Sequence, residues 1–366
     1  MVALCLGASF LSVMSTILYV ILALVVLLLM ITIHEFGHYT FGKWLGFKIN
    51  EFSIGFGKAI YTKTRKNGEI FSIRLIPLGG YCAFAGEDED DKEEDSFNSK
   101  PCWKRIIVLL GGVTFNFLSA IIFSFILLVS FGYDIPKVQD ATLNQQYVYE
   151  YNQTRPEEEH LQSLQNGDVI REVNGTKVSF ITGNTFNVLM SKYKVDDNFT
   201  LTVQRSGEKE WVTINMTKFD DGKTEGGILG VESKAYRYTF WEALRDCVPL
   251  TCAFAWKVLV FLGMLFTGGV SLSDIGGPIT TISVVAEYSQ LNIANLFVFL
   301  PLIAVNLAMF NILPIPSLDG ARIVFVIIEW IRGKPINRKV EGYIHMVGLL
   351  ILLAFVVFVD IFNLIW

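Results

Sequence analysis

The amino-acid sequence predicts an α-helical multi-pass membrane protein with four transmembrane helices, a β-hairpin and one inserted small soluble domain. Hydrophobic residues make up 52% of the 366 positions and charged residues only 18%, whereas soluble domains usually carry about 25% charged residues. Four long runs contain no Asp, Glu, Lys or Arg. The net charge of −5 excludes a typical nucleic-acid-binding protein, which needs a basic face, and the five cysteines predict no disulfide framework.

Each uncharged run is suited to cross a bilayer as one helix, since a hydrocarbon core of roughly 30 Å requires about 20 apolar residues. The first run, residues 1–33, has no basic region before it and is too long for a cleaved signal peptide. The four transmembrane helices are predicted within residues 1–45, 104–133, 291–320 and 342–366.

Lysine and arginine are concentrated in the connecting segments 46–103 and 321–341. Short loops that are rich in these residues stay on the cytoplasmic side of a membrane. The sequence therefore predicts that both segments are cytoplasmic, and that the termini and residues 137–235 lie outside.

Residues 46–103 predict a β-hairpin followed by an acidic linker. Stretches of alternating apolar residues flank Asn67-Gly68, and Asn-Gly between two such stretches is a strong hairpin signal. The run EDEDDKEED, residues 87–95, is typical of a solvated linker.

Residues 137–235 predict one soluble domain, since about 100 residues suffice for a compact fold. Leu164–Val178 contains two strand patterns around an Asn-Gly turn, and Phe199–Lys218 is typical of a hairpin that turns at Ser206-Gly207. The sequence ILGVES, residues 228–233, predicts the last strand.

The sequence HEFGH, from His34 to His38, follows the first uncharged run. Two histidines at positions i and i+4 lie one helical turn apart and are able to bind one Zn²⁺. Glu35 lies about 100° around the helix from His34, where its carboxylate can accept a proton from water activated by the metal. The alternative is that these ionisable groups only mark the helix end in the headgroup region, although they are costly there without a metal or a water cavity.

A catalytic zinc site needs a third protein ligand and an open position for water. The best candidate is Asp319, which follows the third uncharged run in NLAMFNILPIPSLDGAR, residues 306–322. The charge pattern places Asp319 at the same membrane depth as His34 and His38. The alternative role for Asp319 is the N-cap of the helix that follows.

Amide side chains in the apolar runs are candidates for binding an extended peptide. Asn306 and Asn311 precede Pro314 and Pro316, which interrupt the helix and free backbone groups. The alternative for these amides is hydrogen bonding between helices, and Asn116 in the second run is a weaker case of the same kind. Two other histidines lack neighbours of ligand type and are predicted not to bind metal: His160 and His345.

The apolar segment 247–273 is ambiguous, because it contains Lys257 and begins after two charged residues. As a fifth span it would place Asp319 on the opposite side of the membrane from the histidine pair. Either this segment does not span, or Asp319 is not a ligand. We predict the first, with residues 240–290 forming an amphipathic interfacial segment.

Together these motifs resemble the site-2 protease family of intramembrane zinc metalloproteases, most closely the bacterial regulator-of-sigma-E protease branch. The resemblance runs through most of the chain. Its matching segments are His34–His38, Ile54–Glu87, Asn116, QNGDVIREVNG at residues 165–175, Leu272–Ile279 and Asn306–Gly320.

The resemblance implies a role for each motif. His34, His38 and Asp319 would bind Zn²⁺, and Glu35 would be the catalytic residue. The hairpin would be membrane-associated and hold the substrate as an added strand at the residues that lead to Gly79-Gly80. Residues 137–235 would form a PDZ-like α+β domain that screens substrates, although LQSLQNGD lacks the family's usual Ala-Gly-Leu.

The resemblance implies an intramembrane zinc metalloendopeptidase of the cell membrane, with its active site near the cytoplasmic side and the PDZ-like domain outside. Its substrates would be membrane-spanning proteins, such as anti-sigma factors or signal-peptide remnants, in regulated intramembrane proteolysis after a site-1-type protease. The alternative is a non-catalytic membrane scaffold that binds partners through the PDZ-like domain. A zinc transporter would need more histidines and carboxylates inside the spans.

Overall fold

A computed structural model describes residues 2–87, 95–133, 135–180, 183–206, 208, 210–222, 224, 227–271 and 275–365. In chain order the helices are α1 Val2–Trp44, α2 Cys102–Ser130, α3 Thr142–Gln153, α4 Phe186–Met190, α5 Phe240–Thr267, α6 Pro278–Leu291, α7 Ile293–Asn311, α8 Asp319–Arg332 and α9 Arg338–Ile365. The strands are β1 Ile49–Thr64, β2 Ile70–Phe84, β3 Pro136–Asp140, β4 Val169–Val173, β5 Thr176–Lys177, β6 Phe199–Gln204, β7 Trp211–Met216 and β8 Glu232–Ala235. The chain divides into two units, Met1–Ser124 with Phe254–Trp366, and Phe125–Ala253.

Five of the described helices are long and apolar enough to cross a membrane: α1 from Met14, α2, α5 to Leu265, α7 and α9. The sequence predicted four spans and an interfacial segment over residues 240–290. In the structure these residues form the 28-residue α5 and the 14-residue α6. By length and composition alone, α5 therefore also qualifies as a span.

The third uncharged run is not one helix. It breaks at Asn292, whose side chain accepts a hydrogen bond from the backbone N–H of Ala294 and so caps α7. The break separates α6 from α7, which leaves 19 residues in α7. The helix α8 ends before Gly333, which has the left-handed conformation (φ 65°) that favours glycine.

The hairpin folds back on itself into four short arms. Residues 51–54 pair on one side with residues 80–83 and on the other with residues 70–73, and residues 59–64 pair with residues 70–74. The bends fall at Gly55 and Gly57 in β1 and at Gly79 in β2, which all have positive φ. The two free edges of this small sheet are therefore residues 80–84 and residues 59–64.

A hydrophobic cluster joins the end of α1 to the hairpin, α2 and α8. Its buried members are Phe47, Ile49, Phe84, Phe97, Val108, Leu109 and Val326. The helices α1 and α2 also meet backbone to backbone, because a Cβ atom on Gly37 would lie 2.2 Å from the carbonyl oxygen of Gly111. This packing fixes the end of α1 that carries HEFGH.

Buried ion pairs join α2, α8 and α9. The Arg105 guanidinium, 2% exposed, donates to the Glu329 carboxylate at 2.5 Å and 3.2 Å, and Arg338 donates to the same carboxylate at 2.9 Å. Burial alone would raise the pKa of Glu329, but the hydrogen bonds and charges of the two arginines outweigh it and lower that pKa below its ordinary value.

The second unit is built on an antiparallel sheet with strand order β7-β6-β4-β3-β8, and β5 pairs with β4. The predicted strands around Asn174-Gly175 are β4 and β5, and the predicted hairpin is β6 with β7. Its turn at Ser206-Gly207 falls partly outside the described residues. The last strand begins at Glu232, four residues later than predicted. The short helices α3 and α4 contribute Val148, Leu189 and Met190 to its core.

Two predicted segments lie partly outside the described residues. Only the ends of the predicted acidic linker, Glu87 and Asp95, are described, and Glu87 forms an ion pair with Arg322 on α8. The segment Leu272–Ile279 is described from Ile275 onward. There, Asn363 on α9 donates to the Ile275 carbonyl at 2.7 Å.

Candidate metal centre

The last three turns of α1 carry the HEFGH sequence. His34 and His38 lie on one face of this helix, as the i, i+4 spacing requires, and their Nε2 atoms are 3.1 Å apart. Both histidines are buried, with 6% and 8% of their surface exposed. The pair is therefore shielded from bulk solvent while its two Nε2 atoms face a common point.

Asp319 is the third member of this cluster, although 285 positions separate it from His34. Its Oδ2 atom lies 2.9 Å from Nε2 of His34 and 3.2 Å from Nε2 of His38. Asp319 does not cap α8: Leu318 occupies the N-cap position and no side chain caps this helix. The alternative role considered from sequence is therefore absent.

The loop before Asp319 is tightly wound. Ser317 has φ 78°, a left-handed conformation that non-glycine residues rarely adopt. Gly320 follows Asp319, and a Cβ atom there would lie 2.2 Å from the carbonyl oxygen of Leu313. A glycine is required at this position because the chain passes directly over its own preceding turn.

The remaining ring nitrogen of each histidine contacts α2. Nδ1 of His38 lies 2.9 Å from the Val108 carbonyl oxygen, so it carries a hydrogen and leaves the Nε2 lone pair available. Nδ1 of His34 lies 3.1 Å from the side-chain amide nitrogen of Asn116, while the buried Asn116 Oδ1 atom has no hydrogen-bond partner among the described residues. With its amide turned by 180°, Asn116 would accept the His34 Nδ1 hydrogen, and both Nε2 atoms would be available to a metal.

Gly112 on α2 packs directly against the two imidazole rings. A Cβ atom at this position would lie 2.5 Å from Cε1 of His34 and 2.6 Å from Nε2 of His38. Sequence reasoning missed Gly112 and the Val108 carbonyl. The Gly111-Gly112 pair was a signal of close helix packing, but the sequence does not show which helix approaches it.

The Glu35 side chain lies against the hairpin. A Cβ atom on Gly80 would lie 3.6 Å from Cγ of Glu35, and the Glu35 carboxylate accepts a hydrogen bond from the backbone of Cys82. The free hairpin edge formed by residues 80–84 therefore runs beside the Glu35 side chain. Gly79 lies against the Phe56 ring at the adjacent bend, where a Cβ atom would meet that ring at 2.1 Å.

The predicted amides of α7 have different surroundings. The side chain of Asn311 donates to the Leu307 carbonyl of its own helix at 2.9 Å. Asn306 is half-buried, and no hydrogen-bond partner is found for it among the described residues. Neither amide contacts the histidine pair. The other two histidines lie outside the cluster: His160 bonds the Arg155 carbonyl and His345 bonds the backbone of Ser317.

The chemistry of the cluster fits a divalent metal. Within the described part of the chain, the group able to hold an ion is His34, His38 and Asp319, with ligand atoms within 4.8 Å of one another. Three ligands around a tetrahedral Zn²⁺ with bonds of 2.0–2.1 Å would lie about 3.3 Å apart, close to the 2.9–3.2 Å separations found here. Two imidazoles and one carboxylate match the ligand set of catalytic zinc sites.

Three curated relatives align with nearly the whole chain. The chain is 31% identical to a protein of Fusobacterium nucleatum over 94% of its own length and 98% of that protein. It is 28% identical to a Bartonella henselae protein, over 92% and 98% of the two lengths, and 27% identical to one of Clostridium perfringens, over 95% and 99%. Each of the three bears the name "putative zinc metalloprotease".

The sequence model of peptidase family M50 matches residues 22–355. The matched region begins within α1 and ends within α9, so it includes HEFGH, the hairpin, the second unit and Asp319. The family predicted from the motifs, that of the site-2 proteases, is thereby confirmed, and this chain belongs to peptidase family M50.

Proposed function

We propose that this chain is an intramembrane zinc endopeptidase that cleaves peptide bonds within or near the transmembrane segments of other proteins. The observation that carries the proposal is the convergence of His34, His38 and Asp319 at one end of an apolar helix, with Glu35 beside them. The names of the three relatives support zinc as the metal.

In this proposal, His34, His38 and Asp319 hold Zn²⁺. When bound there, the ion would supply Lewis-acid chemistry, which makes water more acidic and polarises a carbonyl. Glu35 accepts the proton of the attacking water and delivers it to the leaving amine. Its position between the cluster and the hairpin edge supports this role, because the reacting bond has to lie between the metal ligands and the substrate-binding surface.

We further propose that the substrate adds as a strand to residues 80–84. No other described strand pairs with the outer side of this edge, which passes Glu35 at Gly80 and Cys82. Backbone hydrogen bonds along such an edge bind an extended peptide without regard to its side chains. Because Gly79 and Gly80 have no side chains, the backbone of the edge could approach the reacting bond closely. Asn306 and Asn311 remain proposed contacts for the substrate.

We propose that four helices, α1, α2, α7 and α9, cross the membrane. On α1, Ser15 accepts a hydrogen bond from Gln290 just before α7, whereas Asp319 just after α7 reaches His34. Thus α7 runs in the same direction as α1, as the first and third of four spans must. The end of α6 contacts Ser15 through Gln290, and Thr280 at its start donates to Asp360 in the last turns of α9. If α5 also crossed the membrane, α6 would have to bring the chain back across it before α7. Its 14 residues span only about 21 Å, which is less than the hydrocarbon core of roughly 30 Å.

The second unit is proposed to be the extracytoplasmic PDZ-like domain that screens membrane-spanning substrates. Its antiparallel sheet with two short helices supports this assignment. The positive-inside pattern supports a cytoplasmic hairpin, and the exposed apolar residues of its arms support contact with lipid: Phe56, Ile60, Tyr61, Ile73, Leu75 and Ile76.

The test is cleavage of a tagged single-span substrate by the purified protein in detergent. The variant Glu35→Gln should retain bound zinc but lose cleavage by at least 100-fold, because the amide cannot accept the proton. His34→Ala should lose both zinc and cleavage. As a control, Glu150→Gln changes an exposed carboxylate whose hydrogen-bond partner among the described residues is Gln146 on α3, and it should match the wild type in both readouts. Cleavage by Glu35→Gln at the wild-type rate would overturn the proposal.

A further inference from the structure

The loop that delivers Asp319 to the histidine pair depends on contacts from outside itself. Pro314 and Pro316 lack backbone N–H groups, so this segment cannot form a continuous hydrogen-bond ladder. Ser317 has a positive φ, which a serine adopts only where the surroundings hold it. A loop of this kind would relax if its outside contacts were removed, and Asp319 is only two residues away.

Two residues of α9 supply such contacts. Nδ1 of His345 accepts a hydrogen bond of 2.9 Å from the backbone N–H of Ser317, the residue with the disfavoured conformation. Three positions further along α9, a Cβ atom on Gly348 would lie 2.3 Å from Cβ of Pro316. These two positions lie on the same face of the helix, so α9 contacts the loop immediately before Asp319.

The His345 ring is itself held in place. Its centroid lies 5.5 Å from that of Phe325 on α8, the helix that begins at Asp319. The residues next to His345 face outward, with Met346 50% exposed and Val347 50% exposed. His345 is therefore a polar contact directed inward from a helix whose neighbouring residues face its surroundings.

We infer that His345 is a positioning residue for Asp319: its Nδ1 atom holds the Ser317 backbone and so sets the distance of the Asp319 carboxylate from the histidine pair. This inference rests on the proposed metal site. His345 touches no ligand, and its effect on the metal passes through the loop. Replacing a residue that orients a metal ligand typically weakens metal binding by 10–100-fold.

The test is zinc affinity, measured by competition with a chromogenic chelator on the full chain in detergent. His345→Leu removes the acceptor and should raise the zinc dissociation constant about 10-fold or more. His345→Asn places an acceptor oxygen at the position of Nδ1 and should restore affinity to within about threefold of the wild type. Met346→Leu, on the exposed face of α9, is the matched control and should leave the affinity unchanged.

A second pair of variants separates positioning from general instability. Glycine adopts positive φ without strain, so Ser317→Gly should make the loop less dependent on His345. The fold-change caused by His345→Leu should therefore be smaller in the Ser317→Gly background than in the wild type. An equal fold-change in both backgrounds, or a failure of His345→Asn to restore affinity, would refute positioning through Ser317.

Failure of the inference is distinguishable from failure of the proposed function. If the wild type binds zinc and His34→Ala does not, but His345→Leu binds as tightly as the wild type, the metal site stands and the inference is wrong. If the wild type binds no zinc, the proposed function and the inference are both wrong.

Discussion

Gly112 shows how a residue without a side chain shapes the candidate metal centre. A Cβ atom at this position would collide with both imidazole rings. HEFGH predicted the two histidines, and membrane depth predicted that Asp319 would join them. The sequence could not predict that Gly112 and the Val108 carbonyl would contact the histidines, because backbone contacts between helices depend on how closely the helices pack.

The substitution Gly112→Ala tests this contact. A methyl group 2.5 Å from His34 and 2.6 Å from His38 must displace one ring or separate α1 from α2. We expect zinc affinity to fall at least 10-fold, measured by chelator competition. Gly263→Ala on α5 is the control, since a Cβ built there meets no other part of the described chain within 4 Å. Equal affinity for Gly112→Ala and the wild type would contradict this geometry.

At the scale of elements, the buried carboxylate of Glu329 links three helices. It is the shared acceptor for Arg105 on α2 and Arg338 on α9. The positive-inside pattern counted such arginines as markers of orientation. It could not predict that Arg105 would be fully buried, because burial depends on where α8 lies.

Glu329→Gln should destabilise the protein by about 3–5 kcal/mol, because it leaves the buried Arg105 guanidinium without its counter-charge, whereas Arg338 keeps its ion pair with Glu341. Thermal unfolding in detergent measures this as a lower midpoint. Glu159→Gln disrupts the exposed pair with Arg155 and should cost less than about 1 kcal/mol. The pKa of Glu329 is lower in the folded protein than in the unfolded chain. Its contribution is therefore full above the unfolded pKa near 4.3 and is lost as the pH falls below that value. A midpoint for Glu329→Gln equal to that of the wild type would contradict the prediction.

The hairpin illustrates what local sequence signals predict and what they miss. Asn67-Gly68 and the flanking alternation predicted two strands, and β1 and β2 flank that turn. The fold-back into four arms was not predicted. It depends on bends at Gly55, Gly57 and Gly79 that place distant parts of one strand side by side, and the alternation of residues does not record such pairings.

For the whole molecule, the arrangement of four spans predicts the side on which each segment is reached. In a variant without the five natural cysteines, a membrane-impermeant maleimide should label His160→Cys in intact cells. It should label Lys66→Cys and Lys334→Cys only after the cells are opened.

The decisive position is Gly269, between α5 and α6. With α5 outside the membrane core, Gly269→Cys should be labelled from outside together with His160→Cys. Labelling of Gly269→Cys only in opened cells would show that α5 crosses, and the four-span proposal would then be wrong. The sequence alone left this point open because α5 has the length and composition of a span.

The 285 positions between His34 and Asp319 also have a consequence for biosynthesis. A ribosome makes the histidine pair before the hairpin, the second unit and α7, and the carboxylate follows only after all three have been made. A partly synthesised chain therefore carries two ligands and no complete site. Under the proposed function, a protease that resides among other nascent membrane proteins would stay inert until its own α7 has been made and inserted.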